Sequence, residues 1–333
     1  MGPGDKSRGN IMKFTIGFDL DDRRRVHEVW EEIFSTQQWT EGKFTTLFEE
    51  KWAAWNGLPA LSFASWSGAA LSTLEFFNVR GKTVLCPSNT FMATPLSVVK
   101  AGARVEFVDC NREDLCLSLD DLKRKAERFN PAAVWVVHIG GHIAFQIEEI
   151  SRFCKEREIL LLEDCAHAHG ASWNGRKPGT WGEAGIYSFY ATKTITTGEG
   201  GMLVTNNRDL LEFSKRSRNY GKPDYTVEGL NHRINEFAAA LGVVQVERLE
   251  DIISWKNTYA EKHLNEKFPN RVRFPAGMVS GYYKYVVFDP IEKSTGKVYD
   301  RPCHRIMNKD YDLPNTDWVA KNHWCVPLYY KGE

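Results

Sequence analysis

Seven short apolar runs, the first five separated by helix-like segments, constrain this chain more than any other feature. The runs are Ala60–Ala64, Thr83–Cys86, Val105–Val108, Ala133–Ile139, Ile159–Leu162, Gly185–Phe189 and Met202–Thr205. The segments between the first five are Ala69–Phe77, Met92–Lys100, Leu119–Arg128 and Ile147–Glu156. A strand that is apolar throughout, rather than at every second residue, needs cover on both faces. The pattern therefore predicts an α/β fold whose mainly parallel central sheet, over about residues 58–215, carries helices on both faces. Ahead of it, Val26, Val29, Trp30, Ile33 and Phe34 recur at helical spacing, as do Phe44, Leu47, Phe48, Trp52 and Trp55, and Gly57 is placed to stop the second helix. Behind it, a long helical pattern from Asn235 to Phe268 and a strand-like run from Tyr282 to Phe288 predict a smaller C-terminal α/β domain. The expected division is a disordered or cloning-derived end at 1–14, a large domain at 15–244 that includes the N-terminal helices, and a small domain at 245–333.

The 333 residues, 42% hydrophobic and 26% charged, are enough for two such lobes. Lysine plus arginine and aspartate plus glutamate both number 43, so the basic footprint of a nucleic-acid binder is absent. No apolar run reaches the roughly 18 residues of a membrane span. Met1–Asn10 is polar and glycine-rich, unlike a secretory signal. The seven cysteines form no CxxC pair and are odd in number. Reduced core thiols in a cytoplasmic protein are thus a simpler reading than disulfides or a metal site, and no metal is expected.

In an open α/β sheet, ligands bind beyond the carboxyl ends of the strands, and four groups of polar residues fall at that edge. Glu163-Asp164 ends the fifth run. An acid there is nearly buried and requires a partner, either as a cap or core ion pair or as the counter-ion of a cationic ligand. Lys193 stands between a buried strand and the glycine-rich Thr196-Thr197-Gly198-Glu199-Gly200-Gly201. It is either a solvated cation or a desolvated amine with a lowered pKa, competent as a nucleophile. Ser65-Trp66-Ser67-Gly68-Ala69 opens a helix after a strand. Ser67 is either its N-cap or part of an anion site with the free N–H groups of the first turn. Phe91, after the second run, is either core or a stacking partner for a planar ring.

The order of these blocks along the chain resembles the DegT/StrS-type sugar aminotransferases, which are fold-type-I pyridoxal 5'-phosphate (PLP) enzymes. The resemblance runs over about residues 15–330. It passes through Trp39-Thr40, Gly42 and Phe48-Glu49, then Ser67-Gly68, Thr90-Phe91 and Phe107-Val108-Asp109. It continues through Glu163-Asp164-Cys165-Ala166-His167-Ala168-His169-Gly170-Ala171 and Ser188-Phe189…Lys193…Gly198-Glu199-Gly200-Gly201. It closes with Gly229-Leu230-Asn231-His232-Arg233-Ile234-Asn235 before Ala239-Ala240-Leu241-Gly242. The Asp164 and Lys193 blocks are the most specific, and the latter most closely resembles perosamine-synthase-like members.

This resemblance implies that Lys193 holds PLP as a Schiff base and later moves a proton, and that Asp164 pairs with the pyridinium nitrogen. It implies that Phe91 stacks on the ring, and that Ser67, Gly68, Ala69 and Ser188 hold the phosphate. Asn231 would reach the phosphate of a neighbouring subunit in a homodimer whose active site lies at the interface. His167 stands where relatives often carry Gln or Glu beside the phenolic oxygen. It either serves that oxygen or only packs. A branch of the fold that performs 3-dehydration has histidine in place of the lysine, so Lys193 favours transamination.

The implied reaction is ping-pong transfer from an amino acid, most often glutamate, to a keto group of a nucleotide-linked deoxysugar in deoxyaminosugar and polysaccharide biosynthesis. Alternatives are a cyclitol or aminobenzoate precursor as acceptor, or a PLP-binding regulator without turnover. Tyr220, His232, Arg233, Tyr282 and Lys284 either face a nucleotide diphosphate or are surface and packing residues. Relatives usually continue with a helix after a motif like Val326-Pro327-Leu328, so a shorter or incomplete C-terminus is expected here. No GxGxxG follows an early strand, which ranks a nicotinamide oxidoreductase low.

Overall fold

A computed structural model describes residues 17–331; the expected end at 1–14 lies outside them. Two helices come first, α1 (Leu20–Thr36) and α2 (Lys43–Asn56). The Asp19–Asp22 capping box starts α1 among solvated charges, and Gly57, at φ 94°, ends α2 as its spacing predicts. There follow β1 (Ala60–Phe63), α3 (Trp66–Phe76), β2 (Thr83–Pro87), α4 (Ala93–Lys100), β3 (Arg104–Val108), α5 (Leu119–Phe129), β4 (Ala133–Val137), α6 (Ile147–Glu156) and β5 (Leu160–Asp164). Next come β6 (Ser172–Trp173), β7 (Ala184–Ser188), β8 (Gly201–Val204), α7 (Arg208–Ser217), α8 (Glu236–Glu247) and α9 (Leu249–Tyr259). The last elements are β9 (Met278–Val279), β10 (Tyr285–Val287), α10 (Cys303–Ile306), α11 (Pro314–Lys321) and β11 (Trp324–Val326).

Seven strands form one sheet in the order β1-β8-β7-β5-β4-β2-β3. β8 alone runs against its two neighbours, and the pairs among β3, β2, β4, β5 and β7 are parallel. Successive residues of the central strands feed different cores. Leu85, Val134 and Leu161 pack with α5 and α6 on one face. Val84, Trp135 and Leu162 pack with α3 and α4 on the other. This double burial is the reason the strands lack polar alternation. The chain moves outward from β2 to β3, then returns to β4 on the other side of β2, and such a reversal opens a crevice beyond the strand ends.

A third core joins α1, α2 and α8 to β7 and β8 through Phe48, Trp52, Tyr187 and Val243. α8 approaches α2 so closely that a Cβ on Gly242 would sit 2.8 Å from the Phe48 ring.

Two expectations change. The helical pattern of 235–268 is not one helix but α8, α9 and a π-helical turn at Ala260–Leu264. Arg248 sits at the break, giving its guanidinium to Gln245 Oε1, the Gly17 carbonyl and Asp22. The strand-like run 282–288 is strand only over Tyr285–Val287. Tyr282 is left-handed at φ 41° and gives its carbonyl to the Lys256 amine, so it cannot join a ladder. Among the described residues no helix is long and apolar enough to cross a membrane. All seven cysteines are buried and unpaired.

Candidate active site

Strand alternation splits the acid pair at the end of β5. Glu163 turns into the protein, where it accepts N–H bonds from Gly179, Trp181 and Gly182, each at 2.7 Å, and lies 2.9 Å from His138 Nε2. It fastens the loop beneath the sheet edge, and its oxygens are occupied. Asp164 turns the other way. It is 5% exposed, with Oδ2 accepting from the Thr94 hydroxyl at 2.9 Å and Oδ1 from the Ala166 N–H at 3.0 Å. Burial raises its pKa, against the pull of those two donors and of the Lys193 charge.

Lys193 lies in the connection between β7 and β8. Tyr190 bridges to Gly198, and the Thr197 N–H and Thr196 hydroxyl both return to the Phe189 carbonyl, closing the loop. Gly198 takes φ 80° there. The Lys193 amine has no ion pair among the described residues and lies 4.9 Å from the centre of the Tyr283 ring. Desolvation lowers its pKa to about 8, despite the opposing attraction of Asp164. About a tenth of the amine is therefore free base near neutrality, far more than for an ordinary lysine.

His167 is 5% exposed and lies between two tyrosines. Tyr283 stacks on it at 4.2 Å, and Tyr299 is near-parallel at 5.7 Å with its hydroxyl 3.3 Å from Nε2. Desolvation, then the Lys193 and Lys284 charges, holds its pKa well below the usual value, so the ring is neutral. Its Nδ1 is buried without a partner.

Phe91, His167 and Lys193 line one cavity of about 570 Å³. Phe91 is 64% exposed, which removes the core alternative. Asp164 is buried just behind Thr94 and Ala166. The proposed phosphate residues gather at the start of α3, outside the cavity lining. Ser188 pairs with Gly201, and a Cβ on Gly201 would lie 2.4 Å from the Ser65 carbonyl oxygen. Ser65, not Ser67, is the N-cap, because its hydroxyl accepts from the Gly68 N–H at 3.2 Å. Ser67 is exposed. The Ala69 N–H turns back to Ser65 O, so the first-turn donors left are those of Trp66 and Ser67. Asn231 is exposed and accepts from the Arg233 N–H.

Of the five residues weighed for a nucleotide, only Lys284 lines the cavity. Tyr282 is buried against Phe274 and Tyr285. His232 covers Gly68, and Arg233 engages Asn219 and Glu41 beside the exposed Tyr220. Sequence reasoning missed Thr94, Lys256, Tyr283, Lys297 and Tyr299. None lies in a motif, and a lysine in a helix such as α9 reads as solvated.

The site fits a phosphorylated pyridine aldehyde. A buried carboxylate that among the described residues has no cationic partner lies near enough to feel the Lys193 charge, the Lys193 amine faces the cavity, and a neutral buried imidazole has an unused nitrogen. PLP would be held by Lys193 and Asp164, with Phe91 and His167 against its ring system.

A protein-family model for DegT/DnrJ/EryC1/StrS aminotransferases matches residues 21–278. The chain is 34% identical over 242 residues to a GDP-perosamine synthase of Vibrio cholerae, covering 68% of this chain and 63% of that protein. It is 29% identical over 340 residues to a dTDP-4-dehydro-2,3,6-trideoxy-D-glucose 4-aminotransferase of Saccharopolyspora spinosa, covering 90% and 87%. The solved aminotransferase TlmJ from Streptoalloteichus hindustanus superposes with a TM-score of 0.86 at 25% identity, covering 98% of this chain and 95% of that one. The match thus spans just under two thirds of the first of these relatives. With the sheet order already in place, these likenesses establish that the chain belongs to the DegT/DnrJ/EryC1/StrS aminotransferase family.

Proposed function

We propose that this chain is a PLP-dependent aminotransferase that carries an amino group from an amino acid, glutamate first among candidates, to a keto group of a nucleotide-linked deoxysugar by a ping-pong route. The observation that carries the reading is the shared cavity of Lys193, Phe91 and His167 above the buried Asp164. When bound, PLP supplies an electron sink for the carbanion formed at the substrate carbon. Asp164 keeps the ring nitrogen protonated. Lys193 Nζ would hold the aldehyde carbon and, as a free amine, would be the group placed to move a proton at the substrate carbon, a task suited to an amine whose pKa lies near 8. Neutral His167 offers Nδ1 as acceptor or donor to the phenolic oxygen. Phe91 covers one ring face. Ser188, Ser67 and the start of α3 at Gly68 and Ala69, where the Trp66 and Ser67 N–H groups remain free, would receive the phosphate, and the exposed Asn231 would reach the phosphate of a second subunit in a homodimer.

The acceptor class is supported by the activities for which the relatives are named and by the cavity's charge. Lys193, Lys256, Lys284, Lys297 and Arg301 line it, against Asp300, which suits a polyanionic nucleotide sugar. The Vibrio cholerae relative favours a perosamine-type substrate. Seven unpaired cysteines support a reducing compartment such as the cytoplasm.

The test is to load the purified chain with PLP, add glutamate and follow the visible cofactor band, then supply a nucleotide-linked 4-keto-6-deoxysugar and identify the product by mass spectrometry. Loss of the band with glutamate and its return with the keto-sugar are expected. A band unchanged by every amino acid offered would overturn the reading.

A further inference from the structure

Lys256 and Lys284 remain unexplained by the chemistry at Lys193. Lys256 belongs to α9, yet it is 6% exposed, and its single hydrogen bond goes to the Tyr282 carbonyl at 2.9 Å. One of its three donors is used. Lys284 follows Tyr283 and lies 5.3 Å from the centre of that ring. Among the described residues neither lysine pairs with a carboxylate. Both line the cavity that holds Lys193. They also act on each other: burial first and the Lys284 charge second lower the Lys256 pKa to about 8.

Two like charges held together without a counter-ion, one of them desolvated, form an unfavourable arrangement in the free protein. It becomes favourable when an anion enters, because each ammonium then gains a charge-assisted hydrogen bond in a partly dry site. Position restricts what can enter. The centre of the Tyr283 ring is 4.9 Å from Lys193 Nζ and 5.3 Å from Lys284 Nζ, so an anion at the lysines lies within reach of a molecule whose reacting part is at Lys193.

We propose that Lys256 and Lys284 form an oxyanion subsite, separate from the cofactor's own phosphate site, which receives a carboxylate or phosphoryl group of the reacting molecule. This deepens the aminotransferase reading and rests on it. The carboxylate would come from the amino donor and the phosphoryl group from the nucleotide portion of the acceptor. Both have the same chemistry, and two probes separate them.

The PLP-loaded protein is titrated calorimetrically with glutarate, a dicarboxylate that has no amino group to transfer, and separately with inorganic pyrophosphate. The same titrations follow for Lys284→Gln and Lys256→Met. At least tenfold weaker binding of one probe is expected in both variants, with the visible band of bound PLP retained. Loss for glutarate assigns the subsite to the donor, with a raised KM for glutamate. Loss for pyrophosphate assigns it to the acceptor. If Lys256→Met does not fold, because the Tyr282 carbonyl loses its donor, the exposed-side Lys284→Gln decides alone. Unchanged affinity for both probes in Lys284→Gln overturns the proposal. The aminotransferase reading fails separately, when the parent protein binds these probes but exchanges no amino group.

Discussion

Lys193 and Asp164 carry roles that can be tested one side chain at a time. Replacing Lys193 with Ala removes the amine assigned to the cofactor aldehyde, so added PLP should produce no persistent visible band, and turnover should fall by about 10³-fold or more. Asp164→Asn keeps the shape and removes the charge facing the ring nitrogen. A contact of that kind is worth about 4 kcal/mol at an effective dielectric near 20, so a loss of roughly 10²–10³-fold in kcat is expected while PLP still binds. The pKa of about 8 at Lys193 also fixes a pH dependence in the cofactor-free protein. Only the free base attacks an aldehyde, so PLP capture should speed up as pH rises and level off once the amine has titrated. Stopped-flow absorbance would measure this, and a rate flat across that range would contradict the assignment. These two residues and His167 were legible because they lie in compact motifs. Tyr283, Tyr299 and Lys256 were not, since each reaches the cavity from a segment with no signature of its own.

At the level of elements, most of the sheet could be written down from apolar runs alone. All seven runs became strands of the main sheet, with ends shifted by a residue or two. The errors fell where a side chain from elsewhere dictated the backbone: Lys256 taking the Tyr282 carbonyl, and Arg248 dividing the long helical pattern. α2 gives the plainest case. Gly42 supplies no side-chain cap. Instead Glu236, from the first turn of α8, accepts the N–H groups of Gly42, Phe44 and Thr45 and the Thr45 hydroxyl. Glu236 is 1% exposed, so its loss would leave several buried donors unmet. Glu236→Ala should cost about 3 kcal/mol, read as a lowered midpoint in urea, and Glu236→Gln should cost less. No local pattern links residues so far apart in the chain.

For the whole molecule, burial of neutral histidines should govern stability in acid. Desolvation lowers the pKa of His142 to about 4, of His169 to about 3 and of His323 to about 4. The unfolded chain protonates these rings near their ordinary value of about 6.5, whereas the folded chain does not. Their stabilising effect is complete above that value and is lost as pH falls through the interval down to the folded values. Asp114, raised by burial to about 6, and Asp164, also raised by burial, act in the opposite direction, but His167, held low by burial, adds to the three histidines. The melting temperature should therefore drop by roughly 10 °C between about pH 7 and about pH 5. A melting temperature that stays level or rises over that interval would refute this. Sequence by itself determined the layered α/β architecture and the strands and named the candidate amine and acid, because apolar periodicity and short motifs are local properties of a chain. Tertiary structure alone decided which other side chains share the cavity of Lys193, which acid of the Glu163-Asp164 pair has its oxygens filled by loop N–H groups, and how the lysines are left without counter-ions. Those outcomes depend on packing between segments distant in sequence, where burial and like charge, rather than residue type, set what each group does.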